Sequence, residues 1–110
     1  MADIKELPVQ PEEGNDLYLK FKRTFHWEDN DYDGVDLSGM ETMTGDDLCQ
    51  IHKQFDRLGI PASIKEQNPS FAAIVASRVT KIPIEFFFAL PAKELNNIKN
   101  MVFAHFFTED

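Results

Sequence analysis

The chain reads as a mainly helical α+β protein, an N-terminal β-hairpin followed by three or four short packed helices. Three observations carry that expectation. Residues 17–27 alternate apolar and polar side chains with a period of two. From Thr44 onward, apolar residues recur at the three- and four-residue spacing of a helix face. Gly59, Pro61, Pro69, Pro83 and Pro91 then punctuate the second half into short segments.

Residues 1–16 hold two prolines, several acids and little apolar content, the composition of a flexible N-terminal arm. The remainder, 17–110, is expected to form a single domain, with the hairpin over about 17–40 and the helical part over about 44–107. In the first strand Leu17, Leu19, Phe21, Phe25 and Trp27 share one face. Tyr18, Lys20, Lys22, Thr24 and His26 share the other, and only Arg23 breaks the apolar row. Glu28-Asp-Asn-Asp-Tyr-Asp-Gly34 is turn chemistry, and Val35-Asp-Leu37 is a short returning strand. A hairpin alone is marginal in water, so it must pack on something else.

Thr44 with Asp47 forms a capping box with Asp in place of Glu. Leu48, Ile51, Phe55 and Leu58 follow on one face, and Gly59-Ile-Pro61 stops the helix. Asn68 is an N-cap and Pro69 a first helical residue; Phe71, Ile74, Val75, Val79 and Ile82 supply the next apolar stripe. Pro83 interrupts that stripe, residues 84–89 form a short apolar helix or turn, and Pro91 opens the last helix. There Leu95, Ile98, Val102 and Phe106 face inward, while Lys93, Glu94, Asn96, Asn97, Lys99 and Asn100 face water.

Six of the ten phenylalanines lie between Phe86 and Phe107. A chain of 110 residues buries only about two-thirds of the surface its unfolded form exposes. Some of these rings are therefore expected at the surface, where a large apolar patch marks a partner-binding face. The candidate contact residues are Phe86, Phe87, Phe88, Phe103 and Phe107 with Met101, because consecutive aromatics cannot all face one core. Met40 and Met43 would add adaptable contacts of the same kind. The alternative is that the rings simply build the core.

Charge is distributed unevenly. Residues 1–55 hold 13 acids and 5 bases, whereas 56–110 hold 6 of each, so the formal charge of −8 arises in the first half. Between Glu28 and Asp47 there are eight acids and no lysine or arginine. That field disfavours nucleic acid and anionic membrane and favours a basic partner, or it serves as a solubilising loop. No apolar run approaches the roughly 20 residues needed to span a bilayer. The N-terminus lacks the features of a signal peptide, and Cys49, the single cysteine, excludes an internal disulfide. The chain thus reads as soluble and intracellular.

Catalytic signatures are lacking. Asp29-x-Asp31-x-Asp33-Gly34 matches the first half of an EF-hand loop, but Met40 stands where the bidentate Glu belongs and a strand precedes it in place of a helix. Asp29, Asp31 and Asp33 remain a weak cation-site alternative. His26, His52 and His105 lie on different elements, and Cys49 with His52 supplies two ligands where zinc needs three or four. Cys49 is expected at the edge of the core. With no glycine-rich phosphate loop, paired catalytic carboxylates or basic cluster, the sequence points to no enzyme, no cofactor and no nucleic-acid binding.

From Asp36 to Phe107 the order of features resembles a known family. The elements are a short hairpin, the helix start Thr44-Gly-Asp-Asp-Leu48 and the helix segment Ala72-Ala-Ile-Val-Ala-Ser-Arg-Val79. Thr80-Lys-Ile-Pro83, a hydrophobic step ending Ala89-Leu90, and a last helix closing on Val102-x-x-x-Phe106-Phe107 follow. This pattern is similar to the small tail assembly chaperones of long-tailed bacteriophages, Mu-like members included. Lys81 stands where that family commonly has glycine, and Phe86-Phe87-Phe88 replaces a single apolar anchor.

The resemblance implies a noncatalytic role in viral tail morphogenesis. Such proteins bind the tape-measure protein, a long apolar helical chain, and keep it soluble while tail-tube subunits polymerise around it. It implies residence in the host cytoplasm, absence from the mature virion, and a frameshifted longer product of the same gene. Exposed phenylalanines also make self-association an expectation. The alternative function is a small acidic interaction or inhibitor protein that mimics nucleic acid. Salt separates the two, because apolar binding survives it and electrostatic mimicry does not.

Overall fold

A computed structural model describes residues 16–107, so the N-terminal arm lies outside the described residues except for Asp16. The fold class is the one expected: an antiparallel hairpin followed by four helices. Strands β1 (Tyr18–Trp27) and β2 (Asn30–Asp36) pair as a two-stranded sheet. A 3-10 turn over Ser38–Thr42 leads to α1 (Gly45–Arg57), and a second one over Lys65–Gln67 leads to α2 (Pro69–Thr80). Helices α3 (Ile84–Ala89) and α4 (Ala92–Phe107) complete the chain.

The hairpin turn is tighter than the sequence suggested. Trp27 pairs with Asn30, leaving only Glu28 and Asp29 in the turn, with Glu28 at φ 55°. Most of the expected acidic loop is therefore strand β2. The reason is aromatic: Tyr32 pairs with Phe25, and both rings, with Trp27, pack on Phe86. Gly34 lets the strands come together beside Tyr18, since a Cβ there would stand 2.6 Å from the Tyr18 hydroxyl oxygen.

Strand β1 carries a wide bulge. Lys20 pairs with Gly34 and Phe25 with Tyr32, so the four residues 21–24 lie opposite Asp33 alone. This explains Arg23. The extra residues let Arg23 point to solvent and return Phe25 and Trp27 to the packed face.

Helix α1 starts as its sequence dictates. Thr44 Oγ1 accepts from the Asp47 N–H at 3.2 Å, and Asp47 Oδ2 accepts from the Thr44 N–H at 2.9 Å, a complete capping box. Ile51 and Phe55 are buried, but Leu58, expected on the same face, lies past the last helical turn and is exposed. Cys49 is exposed too, not at the edge of the core.

Helix α2 is the centre of the molecule. Asn68 Oδ1 caps it by accepting from the Ser70 N–H at 2.8 Å, and Phe71 through Ala76 are all buried. Six consecutive buried positions mean that α2 is covered all round, where the sequence suggested a single stripe. The helix ends at Lys81, which takes the left-handed conformation (φ 66°, ψ 18°). Ser77 Oγ then donates to the Ile82 carbonyl at 2.7 Å and holds the turn into Pro83. Helix α4 packs on α2 and on the turn at Lys65–Gln67.

Candidate functional site

The residues proposed from sequence divide into two groups. Phe86 and Phe87 are completely buried and belong to the core, which corrects their assignment to a contact surface. Phe86 receives three hairpin rings edge-on, with centroids 5.4 Å (Phe25), 5.5 Å (Trp27) and 4.6 Å (Tyr32) away, and Phe87 sits 5.0 Å from it. Edge-to-face contacts at these distances are favourable beyond the area buried. Two successive rings can both be covered here because α3 is wedged between the hairpin and α2. The third, Phe88, points outward and is 49% exposed.

Phe103 and Phe107 form the second group. They lie one turn apart on α4, with ring centroids 4.8 Å apart and planes at 25°, a stacked pair. Phe107 is 54% exposed and Phe103 half-buried. Met101 is half-buried against the core, as is Met43, and Met40 is buried, so Met40 is withdrawn from any contact role. Phe88 precedes α4, whereas Phe103 lies about 17 Å along its axis from the first residue. The structure therefore does not gather the six residues into one patch.

Sequence reading also missed Ile64. It is 52% exposed and adjoins the 3-10 turn on which α4 packs. Its signal was weak, a lone isoleucine in a polar linker. Charged pairs tie the same turn to α1: Lys65 Nζ to Asp56 Oδ1 at 2.7 Å, and His52 Nε2 to Glu66 Oε2 at 3.3 Å.

The acidic residues of the half-motif separate in space. Asp29 is in the turn, while Asp31 and Asp33 are exposed on β2. Asp31 Oδ1 lies 2.6 Å from His26 Nδ1, and Asp33 Oδ1 accepts from the Thr24 hydroxyl at 2.6 Å. A strand cannot wrap these carboxylates around one cation, and among the described residues no group of three or more acids, histidines or cysteines could hold a metal ion.

Glu94 is the other correction. Expected in water on α4, it is 6% exposed, because its Oε2 accepts from the Lys22 N–H in the bulge at 2.8 Å. No described helix is long and apolar enough to cross a membrane. Comparison with protein-family models, curated proteins and solved structures gives no match.

Proposed function

We propose that this protein is a noncatalytic tail assembly chaperone that binds an apolar helical stretch of the tape-measure protein and keeps it soluble while the tail tube assembles. The observation that carries the reading is the stacked Phe103–Phe107 pair in the last turns of α4, with Phe107 54% exposed. An exposed ring stacked on a half-buried one offers an apolar surface of the kind partner proteins cover. A client helix laid across that end would seat its i, i+3, i+4 side chains against the rings. The surplus of acids keeps the complex in solution. The resemblance of the segment 36–107 to phage tail chaperones supplies the client's identity.

The test is Phe107→Asp, alone and with Phe103→Asp. Neither ring is in the buried core, so circular dichroism should stay helical with a cooperative thermal transition while the client falls into the insoluble fraction. Full solubilisation of the client by the folded double variant would remove this surface from the proposal.

A further inference from the structure

A two-stranded sheet has two outer edges, and the two differ here. Along β1, helix α4 lies against the strand, and at the bulge the Lys22 N–H is taken by Glu94 Oε2 at 2.8 Å. Along β2, no described strand other than β1 pairs with Asn30–Asp36. An unpaired strand edge presents main-chain N–H and C=O groups at ladder spacing, a template for a further strand.

That edge also carries a sign. Asp31 and Asp33 are exposed on β2, and Glu28 and Asp29 are exposed in the adjoining turn. No lysine or arginine occurs between Glu28 and Asp47. Within the hairpin, Asp31 Oδ1 meets His26 Nδ1 and Asp33 Oδ1 accepts from the Thr24 hydroxyl. A carboxylate has about four lone-pair sites, so each retains acceptor capacity for a cation. The same carboxylates oppose pairing with a second copy of β2, which would set acid beside acid. Between them Tyr32 is half-buried, with its ring on Phe86, so the side chain beside it on an added strand meets an aromatic surface.

We propose that the β2 edge docks an extended basic segment of a partner protein as a third strand. Main-chain hydrogen bonds to β2 fix the segment in strand form. Its lysine or arginine side chains on the solvent face pair with Asp31 and Asp33, and an apolar side chain on the opposite face rests beside Tyr32. Strand geometry selects an extended segment over a helix, and the carboxylates select a basic one over an acidic one.

The probe is a fluorescein-labelled octapeptide of alternating lysine and valine, titrated with the full chain by fluorescence polarisation. Its glutamate–valine counterpart reverses the charge. Its lysine–proline counterpart keeps the charge but lacks the N–H groups a ladder needs. Saturable binding of the lysine–valine peptide and of neither control is expected. Hydrogen exchange should then show protection gained in β2 and not in α1. Asp31→Asn with Asp33→Asn should weaken binding at least about tenfold, with the thermal transition retained because both side chains are exposed. Phe107→Asp should leave it unchanged, which separates this surface from the one proposed above. Equal binding of either control peptide, or protection confined to other elements, would overturn the proposal. So would β2 protection that rises with protein concentration in the absence of peptide, since the edge would then serve a second copy.

Discussion

Phe86 shows how a residue can be identified correctly as important and given the wrong role. The sequence concentrates rings at 86–88, and the inference that all three could not face one core was sound, since Phe88 does not. What a linear pattern could not reveal was that the hairpin sends Phe25, Trp27 and Tyr32 to the same point. Truncating Phe86 to Ala leaves those rings without their centre and should cost about 3–5 kcal/mol. Chemical denaturation would show the loss, and a change below about 1 kcal/mol would refute the central role. Lys81 gives the opposite case. Its left-handed backbone carries a penalty of roughly 1–2 kcal/mol for an L-residue, part of which glycine returns through its greater freedom when unfolded. Lys81→Gly should therefore stabilise the protein by about 0.5–1 kcal/mol and raise Tm by a few degrees. A lower Tm would mean that the lysine side chain makes a compensating contribution.

At the level of elements, helix boundaries were the most legible feature, because caps are written locally. Thr44, Asp47, Asn68 and Pro69 act at the positions their chemistry requires. The bulge was not legible. Arg23 in an apolar row was its only trace, and the buried acceptor that holds it, Glu94, is 72 residues away from Lys22 in sequence. Likewise the acidic run 28–34 has turn composition, yet aromatic pairing at Trp27, Phe25 and Tyr32 draws most of it into a strand. The cap of α1 carries a pH signature. Hydrogen bonds from Thr44, backbone then side chain, and the nearby Arg78 charge hold the Asp47 carboxyl below the usual 3.8. A depressed carboxyl stabilises the fold above its unfolded value and loses that contribution as pH falls through the folded value. Stability should thus decline on acidification below about pH 4, and less steeply in Asp47→Asn, as measured by urea midpoints from pH 5 to pH 2. Thr44→Ala should cost about 1 kcal/mol at neutral pH. Parallel pH profiles for the wild type and Asp47→Asn would exclude the cap as the origin.

On the scale of the whole molecule, the fold class followed from periodicity, while the surface did not. Burial depends on which elements meet: α4 packs on α2 and on the turn at Lys65–Gln67, yet its last residue Phe107 and Ile64, just before that turn, both stay exposed. Of the six side chains put forward from sequence, the last turns of α4 keep Phe103 and Phe107; Phe88 stands apart, Met101 packs on the core, and Phe86 and Phe87 lie within it. Seven acids sit on the hairpin and the start of α1, six of them exposed and Asp47 half-buried, where they favour solubility.

The most direct test of the chaperone reading is co-expression with the client it proposes, a long helical tape-measure protein, followed by affinity purification at moderate and high salt. The account predicts that the client becomes soluble and co-purifies at both salt concentrations, because apolar contacts are not screened. A client that remains insoluble, or that dissociates at high salt, would contradict it.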